Sequence, residues 1–415
     1  MTVLRFGRLF PFFVLTFLPV VSAEEPRPAV SERARRVHDA GLLFDGHNDL
    51  PWLLRAEGDM AFASHDLSQR LPKGQTDVPR LREGGVKAQF WSVYIPSDYP
   101  DPARTVIQQI DLVHRMVERY PETFAMAYDA DDVERIVKAG KIASLIGIEG
   151  GVAIENDLAQ LRAFHRLGAR YMTLTHNVTL DWADAATDSP RHGGLSPRGE
   201  RIVREMNRLG MLVDISHVSP DTMDDALRVS EAPVIASHSS AFAVAPHVRN
   251  VPDAILKRLP DNGGVVMVNF YSGFIVPEYA RRLNEARREI REKHSDPREA
   301  SRALNAWMRA NPRPRGTLAM VVDHIDHIVK VAGIDYVGIG SDFDGITSSP
   351  EGLEDVSCFP RLTEELLNRG YSEADVHKIL GGNVLRAFRR AGEVSRRLQK
   401  TTNPDVDRHG PEKDE

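Results

Sequence analysis

An alternation of short apolar runs with longer amphipathic stretches constrains the fold of this sequence more than any other feature. Most of the runs are continuously apolar, which is typical of parallel strands covered on both faces. Two of the amphipathic stretches end beside a glycine that favours a left-handed helix cap, Gly168 and Gly210. We predict strands at 42–45, 88–94, 143–149, 171–175, 212–216, 234–237, 265–270 and 337–341, and helices at 102–120, 157–167, 196–209 and 220–229.

Eight strands that alternate with helices predict an α/β fold, a (β/α)8 barrel of the TIM type. A doubly wound open sheet is the alternative arrangement. One segment, 278–314, is longer than a barrel helix needs and is rich in Arg, Glu and Ala, with Pro297, Pro312 and Pro314 as breaks. It predicts a helical insertion on the rim after strand seven, whose charges face solvent.

The two ends of the chain differ from its middle. Arg5 and Arg8 precede an apolar run at 9–21, and small residues follow at 21–23, which predicts a secretory signal peptide over 1–23. We therefore expect an exported protein, periplasmic or extracellular. The hydrolase barrel is predicted over 24–400. Positions 401–415 lack apolar periodicity and predict a disordered tail.

Composition removes several classes of site and partner. Cys358 is the single cysteine, so neither an intrachain disulfide nor a cysteine-based zinc site can form. The net charge of −6 gives a nucleic-acid partner no electrostatic support. The sequence also lacks a Gly-x-Ser-x-Gly nucleophile elbow and a His-Glu-x-x-His helix motif.

Six predicted strands end in residues that can bind a metal or carry a proton. In a barrel these strand ends meet at one face, where catalytic groups are placed. Histidine nitrogens and carboxylate oxygens are the usual zinc ligands in the absence of cysteine. The residues are His47, Asp49, Glu149, His176, His217, His238 and Asp342.

Their spacing predicts a site for two metals. His47 and Asp49 are two positions apart on an extended segment and can face the same side. His217 and His238 end neighbouring strands and could share the second metal, with Glu149 bridging the pair. Asp342 could then move a proton between the attacking water and the leaving amine.

Each of these residues also has a purely structural interpretation. A single buried histidine is more often a hydrogen-bonded core residue than a ligand. Glu149 could stand at the N-terminus of a helical turn, and Asp342 could be a turn residue. One metal site accounts for all of them together, whereas His324 and His327 precede the last strand and are assigned to structure.

Seven motifs in sequence order resemble the membrane dipeptidase family, also called renal dipeptidase, a branch of the amidohydrolase-like metal barrels. The resemblance spans about 42 to 390, nearly the whole predicted barrel. The motifs lie at 45–52, 147–151, 214–219, 237–241, 248–252, 267–271 and 340–345.

The resemblance implies zinc-dependent hydrolysis of dipeptides, with a metal-bound hydroxide as the nucleophile. It implies two zinc ions per chain: His47 and Asp49 bind one, His217 and His238 the other, and Glu149 bridges them. His176 and Arg249 are implied as substrate-binding residues, for the scissile-bond oxygen and the substrate carboxylate respectively. Asp342 is implied as the catalytic acid/base.

Family members often tolerate a D residue at the C-terminal position, so the resemblance implies this tolerance here. Family members are commonly dimers, so a homodimer is possible, although the sequence leaves the oligomeric state open. Mammalian members have disulfides and a C-terminal glycolipid anchor, and neither transfers to this sequence, so no stable membrane anchor is predicted. Phe274 stands where the resemblance predicts a tyrosine, and 272–315 is longer than in those members. These two departures leave the substrate preference open but do not concern the metal chemistry.

Two other functions stay open at this stage. A related amidohydrolase could act on N-acyl amino acids, lactones or lactams, because Arg249 requires a carboxylate but not a free amine. A non-catalytic periplasmic protein that binds peptide or metal is the second alternative, although it would have no use for a proton shuttle at Asp342.

Overall fold

The computed structural model describes residues 30–294 and 296–406. The predicted signal peptide, 1–23, and positions 407–415 of the predicted tail lie outside the described residues. Within the predicted tail, Thr401 is the last residue of a helix, and the carboxylate of Asp405 lies 2.7 Å from the guanidinium of Arg201. No helix in the described ranges is both long enough and apolar enough to span a membrane.

The described residues form nine strands, all paired in parallel. They are β1 (Leu43–Asn48), β2 (Val86–Tyr94), β3 (Phe124–Met126), β4 (Ile142–Glu149), β5 (Ala169–Thr173), β6 (Leu212–Asp214), β7 (Ile235–Ala236), β8 (Val265–Val268) and β9 (Val337–Ile339).

Eight of these strands close into a barrel in the order β1-β2-β4-β5-β6-β7-β8-β9, with β9 pairing back onto β1. These are the eight predicted strands, so the predicted (β/α)8 barrel is confirmed. The short β3 is an addition outside the ring. It pairs with the first residues of β4, and β5 pairs with the later ones, as the partners Ala125↔Ala143 and Gly147↔Tyr171 show.

Helices surround the barrel. They are α1 (Glu32–Ala40), α2 (Leu50–Ala56), α3 (Val78–Glu83), α4 (Pro102–Arg119), α5 (Ala130–Lys138), α6 (Leu158–Arg166), α7 (Pro197–Leu209), α8 (Pro220–Val229), α9 (Asp253–Leu256), α10 (Leu259–Asn262), α11 (Ser272–Ile275), α12 (Pro277–Lys293), α13 (Pro297–Ala310), α14 (Leu318–Val331), α15 (Phe359–Asn368), α16 (Glu373–His377) and α17 (Asn383–Thr401).

The predicted helices appear as α4, α6, α7 and α8, and α7 shows why the sequence sets their limits. The side chain of Ser196 accepts a hydrogen bond from the backbone N–H of Gly199, and Pro197 occupies the first helical position. Gly210 ends the helix at φ 81°, a left-handed conformation that glycine adopts without cost.

The predicted helical insertion after barrel strand seven is also confirmed, but the prediction that its charges face solvent is wrong for Arg287 and Arg313, which line a cavity. It consists of α12 and α13, which pack on each other at one side of the barrel rim. Tyr279 and Leu283 bury the inner face of α12, and the rings of Tyr279 and Trp307 lie 6.1 Å apart. The insertion therefore adds a wall beside the C-terminal ends of the strands.

Aromatic side chains fill the lower part of the barrel. Phe44 and Phe90 stack with centroids 5.3 Å apart, and the ring of Tyr171 lies 4.8 Å from that of Phe90. Phe388 of α17 packs edge-on against Phe90 and covers this end. The interior is thus closed at the N-terminal face, so the C-terminal face is the side open to a ligand.

Candidate active site

The predicted site residues converge on a cavity of about 400 Å³ at the C-terminal ends of the strands. His47 lies directly beneath the cavity, with its Nε2 atom 3.3 Å from Asp49 Oδ2. The structure therefore brings together all eight side chains selected from the sequence. Those that line the cavity are Asp49, Glu149, His176, His217, His238, Arg249 and Asp342.

Glu149 lies at the centre of the cluster and faces a different set of side chains with each carboxylate oxygen. Its Oε2 atom is 3.4 Å from His47 Nε2. Its Oε1 atom is 3.0 Å from His217 Nε2 and 3.4 Å from His238 Nε2. The two halves of the cluster thus meet at one carboxylate, which is the arrangement that a bridging ligand needs.

The donor atoms are those of a site for a divalent cation. His47 Nε2 and Asp49 Oδ1 are buried without a hydrogen-bond partner, which is costly unless an ion satisfies them. The Nε2 atoms of His217 and His238 lie only 2.9 Å apart, and burial holds the pKa of both rings well below the usual range. Neutral imidazoles and carboxylates at this spacing fit zinc, cobalt or manganese.

The electrostatics at His47 point to the same conclusion. Burial alone would lower the pKa of this imidazole. Tyr171, Asp49 and Glu149 outweigh that effect and raise the pKa well above its ordinary value. The centre therefore stabilises positive charge, as expected where carboxylates converge around a cation.

Ser237 and Asp214 fix the orientation of His238. Asp214 Oδ2 accepts from the Ser237 hydroxyl at 2.6 Å, and Ser237 Oγ lies 2.8 Å from His238 Nδ1. Because an ionised Asp214 can only accept, the hydroxyl donates to it and receives the Nδ1–H of His238. The Nε2 lone pair is then left facing the centre, as a metal ligand requires.

Tyr171 supports His47 from below in the same way. Its hydroxyl lies 2.8 Å from His47 Nδ1, within the closed part of the barrel. The ring reaches this position because residue 147 is glycine: a Cβ there would lie 1.9 Å from the Tyr171 Cζ atom. Tyr171 therefore fixes which nitrogen of His47 faces the centre.

Asp342 follows β9 in a strained backbone conformation, at φ 63°. Its Oδ2 atom accepts from the Asn269 side-chain amide at 2.8 Å. Burial, together with the charges of Asp49 and Glu149, raises the pKa of Asp342 well above its usual range. A carboxyl group that holds a proton this readily is suited to acid/base chemistry.

Three residues that are not glycine have left-handed backbone at the barrel mouth. Besides Asp342, they are His217 (φ 69°) and Asp344 (φ 65°). Such conformations are costly and are typical of functional sites, where the surroundings hold a side chain in a required direction.

His176 and Arg249 provide neutral and cationic donors beside the cluster. The ring centroid of His176 lies 4.3 Å from that of His217, and burial lowers the pKa of His176 to about 4. Arg249 is only 5% exposed, with its Cζ atom 5.0 Å from the ring centroid of Phe274, and its Nε atom has no hydrogen-bond partner. Burial lowers the Arg249 pKa to about 10, so the side chain remains charged at neutral pH.

The supporting residues Tyr171, Ser237, Asp214 and Asn269 were not selected from the sequence. Three of them lie inside the quoted motifs, at 214–219, 237–241 and 267–271, so the signal was present but could not be separated from that of the neighbouring ligands. Tyr171 had no such signal, because its contact with His47 depends on packing across the barrel.

His324 and His327 lie away from the site on α14, as predicted. His324 Nδ1 accepts from the backbone N–H of Ala241 at 3.0 Å, and His327 Nε2 lies 2.7 Å from Asp253 Oδ1. Both have structural partners.

Comparison with known proteins gives matches across the barrel. A family model described as membrane dipeptidase (Peptidase family M19) matches residues 31–402. The chain is 42% identical over 362 residues to dipeptidase tcpJ of Claviceps purpurea (strain 20.1), a match that covers 85% of this chain and 77% of that protein.

Two solved structures share the architecture. The probable dipeptidase PvdM from Pseudomonas aeruginosa superimposes with a TM-score of 0.77 at 28% identity, over 88% of this chain and 98% of that one. A metallo peptidase from Rhodobacter sphaeroides, liganded with a phosphinate mimic of the dipeptide L-Ala-D-Ala, gives a TM-score of 0.68 at 26% identity, over 84% and 99% of the two chains.

Proposed function

This chain belongs to the membrane dipeptidase family, Peptidase family M19, and on that premise we propose that it hydrolyses dipeptides at a centre of two zinc ions. The observation that carries the proposal is the position of Glu149, whose two oxygens each face a separate histidine set. His47 and Asp49 would hold one ion, His217 and His238 the other, and Glu149 would bridge them. When bound, the ions would polarise the substrate carbonyl and make a water molecule acidic enough to react at neutral pH.

The residues around the centre would bind and orient the dipeptide. Arg249 has a planar, charged fork with a free donor, which suits bidentate pairing with the α-carboxylate of the C-terminal residue. The neutral ring of His176 would donate to the carbonyl oxygen, where negative charge develops during attack.

Asp342 would carry the proton through the reaction. Its raised pKa allows it to take a proton from the attacking water and to give that proton to the nitrogen of the leaving residue. Asn269, which donates to one carboxylate oxygen, would hold the other toward the reacting atoms.

We also propose that the enzyme accepts a D residue at the C-terminal position. The phosphinate in the Rhodobacter sphaeroides peptidase mimics a dipeptide of that configuration, and this supports the proposal. In this chain Arg249, which would bind the carboxylate, lines a cavity of about 400 Å³.

The test combines metal analysis with paired assays on the purified protein. We expect about two zinc ions per chain and chelator-sensitive hydrolysis of Gly-D-Ala and L-Ala-L-Ala. Hydrolysis of an N-acetylated dipeptide but not of the free one would instead favour an N-acyl amino acid amidohydrolase. Metal without turnover of any amide would contradict an enzymatic role.

We further propose that the protein is exported. The support is the sequence pattern of 1–23, with two arginines, an apolar run and small residues at 21–23. Mass spectrometry of the protein recovered outside the cytoplasm should give an N-terminus at Glu24, and an intact residue 1 would contradict cleavage.

A further inference from the structure

Three arginines line one side of the cavity beside the proposed metal centre. Arg249 comes from the barrel itself, whereas Arg287 lies on α12 and Arg313 follows α13, so both of the latter belong to the insertion. Arg249 packs on the ring of Phe274 and Arg313 on that of Tyr271, at 5.0 and 4.2 Å from the centroids.

None of the three forms an ion pair within the ranges that the structure describes. Each has a buried nitrogen without a hydrogen-bond partner: Nε of Arg249, Nη1 of Arg287 and Nε of Arg313. The Nη1 atom of Arg313 donates to a neutral group, the Thr347 hydroxyl, at 3.3 Å. Buried donors of this kind cost free energy until an anion satisfies them.

His247 shows that the three positive charges converge. Burial lowers the pKa of this imidazole well below its usual value, and the charges of Arg287, Arg249 and Arg313 lower it further. His247 is therefore neutral and does not offset the repulsion among the three guanidinium groups. Burial and the nearby Arg291 also lower the pKa of Arg287, to about 10.

The positive charge continues from the cavity toward solvent. Arg287 and Arg291 both line an adjoining cavity of about 590 Å³ beneath α12, and Arg291 donates to the backbone oxygen of Thr187 at 2.7 Å. This basic route contrasts with the net charge of −6 for the whole chain and would draw anionic ligands to the site.

We propose that Arg287 and Arg313 form a second anion subsite, and that the preferred substrates are dipeptides whose C-terminal residue carries a side-chain carboxylate. The inference rests on the proposed dipeptidase activity, in which Arg249 binds the α-carboxylate. The two carboxylates of an aspartyl or glutamyl residue branch from one Cα atom, and the three arginines line a single cavity together with His247. A second negative charge on the C-terminal residue thus matches the two cations that the α-carboxylate leaves unpaired.

The test compares substrates that differ only in charge. L-Ala-L-Glu is measured against L-Ala-L-Gln, and L-Ala-D-Glu against L-Ala-D-Gln. We expect wild-type kcat/KM to favour the acidic member of at least one pair by about tenfold or more, as charge-assisted pairing with arginine predicts. Arg287→Gln and Arg313→Gln should each reduce this ratio, and the double variant should bring it close to one.

Two control variants distinguish an effect of the lost charge on this ratio from an effect of lost folding. Arg281→Gln lies on the same helix, pairs with Glu278 at the surface and should leave the ratio unchanged. Arg287→Lys should retain part of the preference, because it keeps the charge. Circular dichroism and metal content of each variant identify any loss of fold.

The outcomes distinguish the two levels of the proposal. Equal hydrolysis of the acidic and amide substrates by the wild type would overturn the subsite while leaving the dipeptidase activity in place, as would a ratio that survives in the double variant. Absence of all dipeptide hydrolysis would overturn the proposed function instead. In that case calorimetry with free glutamate and glutamine still measures the charge preference, and equal binding of the two would overturn the subsite.

Discussion

Asp342 lies in an environment that raises the pKa of its carboxyl group well above the usual range. Asp342→Asn keeps the size of the side chain and its contact with Asn269 but cannot exchange a proton. We expect kcat to fall by about 10²- to 10⁴-fold, the usual contribution of general acid/base catalysis, with the metal content unchanged.

Metal analysis and steady-state kinetics on the same preparation test this prediction. Asp253→Asn, which removes a remote carboxylate bonded to His327, is a control that should keep wild-type turnover. Wild-type kcat in the Asp342 variant would show that another group carries the proton.

Tyr171 is the second residue with a predicted effect. Tyr171→Phe removes the hydroxyl that orients His47 and leaves the packing of the ring with Phe90 intact. Loss of such an orienting partner typically weakens metal affinity by about tenfold to hundredfold.

Competition with a fluorescent chelator measures that affinity, and Tyr128→Phe at the surface controls for loss of a hydroxyl. An affinity equal to that of the wild type would show that the Tyr171 hydroxyl does not position His47.

At the scale of single residues, the sequence predicted those site residues that are titratable and stand at the end of an apolar strand. His47, Glu149 and Asp342 could be selected because a buried strand seldom ends in a titratable group. Arg287 and Arg313 could not be selected, because their relation to the cavity depends on how α12 and α13 fold back over the rim. On a charged helical segment they cannot be distinguished from solvent-facing arginines.

At the scale of elements, five predicted strands extend beyond the ends of the observed ones, and two of them, β6 and β7, do so for a shared reason. β6 ends at Asp214 and β7 at Ala236, although strands to 216 and 237 were predicted. The backbone N–H groups of Ser216 and Ser237 both donate to Asp214 Oδ1, at 3.0 and 2.9 Å. The Asp214 carboxylate thus takes the place of the strand-to-strand hydrogen bonds at these two ends. The backbone leaves the sheet there, and His217 and His238 can face the proposed metal centre.

The strand β3 could not be predicted. It has three residues, too few for a period to appear, and it forms because β4 extends beyond β5 and leaves Ile142 to Ser144 free to pair. The bounds of the four predicted helices are closer to the observed ones, because end signals such as Ser196, Pro197 and Gly210 of α7 act locally.

The docking of α1 gives a pH prediction. His38 Nδ1 lies 2.7 Å from the Thr363 hydroxyl on α15, and Nε2 lies 2.8 Å from the carbonyl oxygen of Gly84. Burial lowers the His38 pKa from 6.5 to about 4. The folded state thus favours the neutral ring, and its stability falls as the pH drops from 6.5 toward 4, because the unfolded chain takes up the proton first.

The shift corresponds to about 3 kcal/mol over that interval. Urea unfolding at several pH values should show that the free energy of unfolding falls more steeply for the wild type than for His38→Gln, which can bond to the same partners without titrating. Parallel pH dependence in the two proteins would contradict this role of His38.

At the scale of the whole molecule, packed aromatic side chains fill one end of the barrel, whereas charged side chains line the open cavity at the other end. The rings of Phe44 and Phe90 fill the lower interior, whereas the carboxylates of Asp49, Glu149 and Asp342 converge at the top. The single barrel was predictable because its strands are long or strongly apolar. The division between a packed end and a charged end was not, since it depends on which side chains face inward.

This division predicts that metal removal weakens the fold as well as any activity. The proposed ligands come from the ends of β1, β4, β6 and β7, so an ion bound there joins strands on opposite sides of the barrel. Without it, carboxylates and unpartnered donors remain buried together. At a free metal concentration a hundredfold above Kd, one site adds about 2.7 kcal/mol to the free energy of unfolding, and chelation should remove that contribution.

Calorimetry should therefore show a lower Tm in chelator, restored by zinc. The Tm of His217→Ala should respond less to chelator than that of the wild type, because this variant has lost one of the proposed ligands of the second ion. A Tm that chelator leaves unchanged in the wild type would mean that the upper end of the barrel is held by its hydrogen bonds alone, with Asp214 and Ser237 sufficient to keep the strand ends in place.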